Sequence, residues 1–584
     1  NNIEVAAAIT DDNIPVQPEG NTQQLQEFDK VYIQLSNENN KLIAGDFDIG
    51  KPTGYFMNFY KKGQGGWYSN KSKVEITKGN VADVQSTVSG AVSRGKFARN
   101  VFNGIESNQG PYRLTGAENE TFIVILSGSE KIYIDGRLMK RGQTNDYIID
   151  YNTAEITFTP QRLITKDIRI VAEFQYSDKN YSRTLFYGGS EAVKGKSKAY
   201  INIYSEQDAR NQPLQQDLSL DQKKLLSEIG DDLNGALSLN ADSVAFNPNE
   251  ILYLKKDSLV NGILYTNVYV WSVNPDSAFY RLGFSLVGAG KGNYIYNITS
   301  ANGKVFQCVA PVNDIPQGNY EPVVLLITPK KRQMATAGYS YSDKNKTEFN
   351  IELAASKDDV NTFSKTDKGN DNGWAAVTSI SKTIPLSKGK PVPWNLITSG
   401  RYEFTYRYFK QIEIFRAVEF SRDWNTLALA DTSDEHNASA GIALRQGPLQ
   451  NISYTLKTYV KPGAYNGLMH VVNTSNIYKT FTLRTDGSYL NTKGDLIKSV
   501  FYRHKEDLSK QWKYFKSGIR YEEEHNEIQS ATSDSLALNS FVFRDAGIYI
   551  ETPDTSRFKS TAGYNRRTDE VPTGQSFSSS TVSD

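Results

Sequence analysis

The densest set of hard oxygen donors in the chain lies between residues 358 and 373, in Asp358-Asp359-Val-Asn361-Thr-Phe-Ser364-Lys-Thr-Asp367-Lys-Gly-Asn370-Asp371-Asn372-Gly373. Carboxylate and amide oxygens gathered on a flexible, glycine-bearing loop are what a hard cation such as Ca²⁺ needs. Asp358, Asp359, Asn361, Asp367 and Asp371 are the candidate ligands. The spacing is not that of an EF-hand, which closes on a bidentate glutamate. Asp, Asn and Gly are also ordinary turn residues, so a solvated turn between two strands accounts for the same stretch. Apart from this loop, no cofactor is expected. Asp231-Asp232 is a weaker acidic pair.

The remaining reactive residue types do not converge. The four histidines, His436, His470, His504 and His525, have no i,i+4 partner and no cysteine beside them, so a zinc site is not expected. Ser127-Gly128-Ser129 is not a nucleophile elbow and reads as a turn. Cys308, in VFQCVA, has apolar neighbours and no adjacent base, the setting of a buried structural thiol. Gly288-Ala-Gly-Lys-Gly292 lacks phosphate-loop spacing and precedes a strand, NYIYNIT, so a hairpin is expected; Gly63-Gln-Gly-Gly66 likewise reads as a turn. No enzyme is expected. Two segments suit recognition. Phe415–Asn425 interleaves Arg416, Glu419, Arg422 and Asp423 with aromatics, as a lumen-facing charge ladder or as surface ion pairs. Trp512 suits an interface anchor.

The elements that carry these residues are strands. Phe122–Tyr176 has the strongest signal: Ile132-Tyr-Ile134 enters the turn Asp135-Gly136, then Tyr147-Ile-Ile149, Glu155-Ile-Thr-Phe158 and the stepwise Ile168, Ile170, Ala172, Phe174. Short β-branched and aromatic runs broken by Asp-Gly turns predict an antiparallel sheet with a dry core. One helix is predicted over 218–230, with Ser219 and Gln222 as a capping box, Leu225, Leu226 and Ile229 as its buried stripe and Gly230 as its stop.

Beyond Gln333 the pattern changes. Tyr402, Phe404, Tyr406 and Tyr408 oppose Arg401, Glu403, Thr405 and Arg407. Ile452, Tyr454 and Leu456 oppose Ser453, Thr455 and Lys457. Such alternating runs reach roughly nine to twelve residues, longer than the five or six of a sandwich strand and near the ~9–11 of a tilted membrane strand.

Composition agrees with an all-β chain and narrows the partners. Lys+Arg is 66 against Asp+Glu at 65, a net charge of +1, so nothing in the overall charge calls for nucleic acid. Tyr (35) outnumbers Phe (27), and no apolar run is long enough for a transmembrane helix. The N-terminal NNIEVAAAITDDN lacks the form of a signal peptide, and the polar C-terminal SFSSSTVSD reads as a loop, so the chain is expected to be a portion of a longer protein lacking its last strands.

Several phrases carry a resemblance: Gly110-Pro-Tyr-Arg-Leu, Val124-Ile-Leu-Ser-Gly-Ser-Glu-Lys-Ile-Tyr-Ile-Asp-Gly136, Arg141-Gly, Asp146-Tyr-Ile-Ile-Asp-Tyr and Glu155-Ile-Thr-Phe-Thr, continued by Asn274-Pro-Asp, Gly318-Asn-Tyr and Asp359-Val-Asn. With them the chain resembles large, mostly uncharacterised outer-membrane β-barrel proteins of the Bacteroidota. It is distantly similar to envelope proteins of the type IX secretion translocon kind. Ala154 departs from the pattern, which has a turn glycine there. The resemblance implies an exported β-region followed by a membrane barrel, an outer-membrane location, membrane lipid and other envelope proteins as partners, and no catalytic residues.

The expected fold is therefore all-β: an irregular segment (1–29), a β-domain (30–187), an α+β insertion lobe (188–335) and partial barrel strands (336–584), the first three forming a periplasmic or plug-like region. The expected function is a channel or a component of an envelope export or assembly complex. The alternative is a cell-surface module that binds glycan or protein.

Overall fold

The computed structural model describes residues 4–10 and 30–580, except for 78, 94, 167, 178–180, 214–217, 261–262, 298–303, 314, 344–346, 388–391, 428, 430–431 and 554–556. Its frame is one antiparallel sheet of 20 strands. In chain order these are β1 (Glu4–Thr10), β2 (Lys30–Ser36), β3 (Asn40–Ile49), β4 (Lys61–Thr77), β5 (Asn80–Ser93), β6 (Tyr181–Lys194) and β7 (Ser197–Pro213). They continue as β8 (Lys331–Ser342), β9 (Thr347–Asp359), β10 (Asn372–Pro385), β11 (Asn395–Thr405), β12 (Glu435–Gln446), β13 (Gln450–Lys461) and β14 (Tyr465–Tyr478). The last six are β15 (Phe481–Gly494), β16 (Ile497–Gln511), β17 (Lys516–Ser530), β18 (Phe541–Glu551), β19 (Thr561–Thr573) and β20 (Ser576–Ser580). Each pairs with the one before it, an up-and-down meander. Among the described residues β1 and β20 do not pair with each other, so the sheet is not closed.

Because direction alternates, the connections sort to two ends. One end carries mostly short turns, such as 195–196, 447–449, 479–480 and 512–515. The other carries the longest connections among the described residues: 50–60, 94–180, 214–330, 360–371 and 406–434. Two of these are folded units. Residues 94–180 form a four-stranded and a three-stranded sheet around Leu114, Ile132, Ile156, Ile170 and Phe174, all without exposure. Residues 214–330 hold the helix α1 (Leu220–Glu228) and three small sheets. The Ser219–Gln222 capping box is present, Leu226 is buried, and Gly230 (φ +62°) ends the helix, as the sequence predicts.

The structure draws the units differently from the sequence. Glu4–Thr10, expected to be irregular, is the first strand; residues 11–29 lie outside the described set. Segments 30–93 and 181–187, expected inside the β-domain, and 188–213 and 331–335, expected in the insertion lobe, supply strands of the long sheet. The boundaries at 187/188 and 335/336 therefore give way to insertions between β5 and β6 and between β7 and β8. Gly63–Gly66, expected to be a turn, lies inside β4. A β-carbon on Gly65 would stand 2.2 Å from the Gly90 carbonyl oxygen, so glycine here permits close backbone approach. Gly128 (φ +69°) lies in a turn as expected. The chain also turns at Gly288–Gly290, but the flanking strands Ser285–Leu286 and Tyr294–Asn297 both pair with Tyr320–Glu321 and not with each other, so the expected hairpin does not form there. Ala154, where a turn glycine belongs, takes the left-handed conformation (φ +56°) and is fully buried.

Candidate functional site in the lumen

The two faces of the long sheet differ in chemistry. One presents Leu42, Tyr68, Val88, Ile201, Ile351, Leu353, Trp374, Tyr402, Ile442, Ile452, Tyr454, Leu468, Val472, Leu483, Leu508, Ile519 and Ile548 to the exterior, all exposed. The other carries Asn202, Glu206, Thr336, Glu352, Ser356, Glu403, Thr405, Thr492 and Ser499, all buried. A soluble sandwich has the reverse arrangement, with the apolar face inside.

The exterior apolar residues form a band that runs obliquely across the strands. The ladder row through Ile351 passes Thr378, Tyr402, Ala438, Thr458, Leu468, Asn491 and Val500 to Glu527 on β17. The exposed apolar residue of β17 is Ile519, eight positions nearer the short-turn end. Strands lie ~4.8 Å apart and rise ~3.3 Å per residue. A drift of about one residue per strand is thus a tilt of roughly 35°, the tilt of strands in a barrel.

The polar face is covered by two connections that fold back inside. Phe56, Met57 and Phe59, from 50–60, pack against Phe47 of β3, Leu185 of β6, Tyr204 of β7, Met334 of β8 and Val377 of β10. Strands far apart on the ladder thus share one core, so the sheet curves around it. Trp424, after the short helix α2 (Phe420–Asp423), packs against Tyr459, Tyr465, Leu490 and Phe501 of β13–β16.

Charge fixes both segments. Glu352 accepts from the Tyr55 and Phe56 backbone N–H groups (2.6 and 3.0 Å) and from the Tyr200 hydroxyl (2.6 Å). Glu403, without exposure, accepts from the Tyr55 hydroxyl (2.8 Å), from Arg401 (3.2 Å) and from Arg416 (2.7 Å). Arg416 also reaches Glu435 at 2.5 Å and stands over the Phe420 ring. Burial opposes the Arg416 cation, but Glu403 and Glu435 outweigh it and raise its pKa. Removing one partner of such a pair costs about 3–5 kcal/mol, because a buried charge is left bare. Further along, Arg422 pairs with Glu524 (2.6 Å) and Asp423 with Arg503 (2.8 Å). Asn425 donates to Ser499 and Asn526 (2.9 and 2.8 Å). The Phe415–Asn425 charges therefore face the interior; the surface ion-pair reading of that segment does not hold.

The first inserted domain rests on this plug. Arg99 donates to the Val418 carbonyl (2.7 Å), and Arg169 approaches Glu419 (3.4 Å). Gln175 donates to the Tyr60 carbonyl and to Glu413 (3.3 Å), which also accepts from the Tyr60 backbone N–H (3.3 Å). Glu413 thus joins 50–60, 406–434 and the domain. Burial pushes its carboxyl up to about 7, against the opposing pull of Lys61.

The acidic loop is arranged around a lysine. Lys368 Nζ lies 2.7 Å from Asp359, 3.8 Å from Asp231 and 3.9 Å from Asp371, and donates to the Asn361 carbonyl (3.1 Å). Asp358 pairs instead with Arg332 (2.9 Å). The Asn361 amide caps α1, donating to the Leu226 and Gly230 carbonyls (both 2.7 Å). Asp367 sits at a left-handed turn (φ +58°). Of the five expected ligands, the Asp359 and Asp371 carboxylates and the Asn361 carbonyl come together, with Asp231 of the second insertion, and the Lys368 ammonium stands among them. Among the described residues no group of three or more His, Cys, Asp or Glu has metal-site geometry. The histidines stay apart: His436, His470 and His525 each share a hydrogen bond with a tyrosine of the adjacent strand (Tyr402, Tyr454 and Tyr502; 2.7–2.8 Å) on the exterior face. Cys308 is half-buried in its strand, and burial raises its thiol pKa. Sequence reasoning missed the segment 50–60, whose Tyr55-Phe-Met-Asn-Phe reads as strand; its departure from alternation was the available signal.

Residues 97–178, nearly the whole first inserted domain, match a family described as a domain of unknown function (DUF8818). No curated protein matches the chain. Among solved structures, the translocation pore of the P pilus usher PapC is similar at 8% identity and a TM-score of 0.25, over 94% of this chain and 84% of that one.

Proposed function

We propose that the chain forms the wall of an outer-membrane β-barrel, closed inside by a two-part plug and capped at one mouth by its inserted domains. The observation that carries this reading is the oblique apolar band on the exterior of long, tilted strands whose interior face is polar. Burying the band in lipid removes it from water at about 25 cal/mol per Å², and the drift of the band matches the tilt that membrane strands adopt. The alternative, a soluble surface module gripping glycan or protein, leaves that band in water around the whole sheet.

Within this reading the function is regulated passage rather than catalysis. The wall supplies the path, 50–60 and 406–434 block it, and the domain at 94–180, tied to the plug through Arg99, Arg169 and Gln175, is the handle that moves it. A role in an envelope export or assembly complex is the finer proposal, with the inserted domains as the docking surface for other envelope proteins. The test is conductance in planar lipid bilayers. The intact protein is expected to conduct little, and deletion of 408–432 to raise conductance about tenfold or more. Equal conductance of the two in bilayers that both have entered contradicts the plug.

A further inference from the structure

The apolar band is not uniform. On β15–β19, near the short-turn end, it opens into a groove of about 670 Å³. Phe481, Leu508 and Lys510 form one side and Ile548, Ile550 and Tyr564 the other, around Ile519. Small residues make the hollow: Ser517 and Ala562 stand in the ladder row of Phe481, Lys510 and Ile550, where the other rows carry bulk.

The upper rim of the groove is cationic. Lys510 Nζ lies 4.0 Å from the centre of the Trp512 ring and 5.0 Å from that of Phe481. Lys513 Nζ lies 5.0 Å from the Tyr514 ring, on the same turn. Lys516 is neutralised by Glu551 at 2.6 Å, but among the described residues no carboxylate forms an ion pair with Lys510 or Lys513. Trp512 is held by donating from Nε1 to Ser517 Oγ (2.9 Å), so the aromatic-cation rim and the small-residue floor are one unit. An apolar trough with a free cationic rim has the pattern of an acyl chain joined to an anionic headgroup, and amphipathic aromatics at that level mark the lipid–water boundary.

We infer that this groove is a binding site for an anionic phospholipid of the bilayer: an acyl chain lies across Ser517 and Ala562, and the headgroup phosphate meets Lys510 and Lys513. The inference rests on the membrane reading above, and its test separates the two. The full chain is reconstituted in phosphatidylcholine with and without phosphatidylglycerol, and membrane insertion is scored first by resistance to urea extraction. Inserted protein is then taken into detergent, and the lipids it retains are measured by native mass spectrometry. The expected result is phosphatidylglycerol enriched about tenfold over its bulk share. Lys510→Gln with Lys513→Gln should abolish that preference while leaving insertion intact, and Ser517→Leu with Ala562→Leu should remove the retained lipid itself. Inserted protein that retains both lipids in their bulk ratio, or double variants that retain them as the parent does, overturns the site and leaves the membrane wall standing. Protein that urea extracts completely overturns the wall and the site with it.

Discussion

At the scale of single residues, Glu413 is the group whose ionisation the fold opposes most plainly outside the wall. Its carboxyl rises from the ordinary 4.5 to about 7, through burial. Between those values the folded chain holds a proton that the unfolded chain has lost, so stability falls as pH rises through this window and is greatest below it. At about 1.4 kcal/mol per unit of pKa the effect is on the order of 3 kcal/mol. Lys61 and Lys131 lessen the cost of the carboxylate and Glu173 adds to it. Glu413→Gln, followed by thermal melting across this range, should flatten the slope; an unchanged slope refutes the assignment. Glu118, in the inserted domain at 94–180, behaves in the opposite way. Burial opposes its charge, but Lys330 and Lys96 prevail and hold it at about 2. Its stabilising share is complete above about 4.5 and is lost as pH falls towards 2, outside the Glu413 window. These partners were not legible in the sequence. Glu413 and Gln175 are 238 residues apart, and nothing local in either segment indicates the other. The capping box at Ser219 was legible because its partners sit three residues apart. In the acidic loop, Lys368 stands beside Asp359 and Asp371, a partner that the turn spacing of these carboxylates does not specify.

At the scale of elements, period-two alternation announced the long strands beyond Gln333, and β-branched runs announced the inserted sheet. What alternation could not show is which strands of the first 213 residues join the wall. Parts of β3–β5 carry glycine, alanine or serine where bulky residues would announce a strand, and at Gly45 and Gly65 the backbone of the adjacent strand comes too close for a β-carbon. The pairs Gly45–Gly65 and Gly65–Ala91 make a small-residue row there. Gly65→Val should therefore cost more than the usual ~1 kcal/mol of a strand glycine replacement, because its β-carbon meets backbone rather than a movable side chain. The check is the urea midpoint of the refolded protein against Gly66→Val, whose β-carbon position is open. Equal losses contradict the close-approach account.

At the scale of the whole molecule, one meander bears two excursions, both at the same end, and that placement brings the first inserted domain against the segment 406–434. Among the described residues no helix is long and apolar enough to cross a membrane; the proposed crossing is by strands. In that proposal the oblique band, and not a horizontal ladder row, lies in lipid. The direct measurement is quenching of an environment-sensitive fluorophore by lipids brominated near the bilayer centre. The fluorophore is attached in a Cys308→Ser background to single cysteines at Ile351, Glu352, Ile519 and Glu527. Strong quenching at Ile351 and Ile519, with little at the inward Glu352 and at Glu527, is the predicted result, although Glu527 shares a ladder row with Ile351. Quenching that follows the ladder row from Ile351 to Glu527 and spares Ile519, or that reaches none of the four positions, contradicts the account.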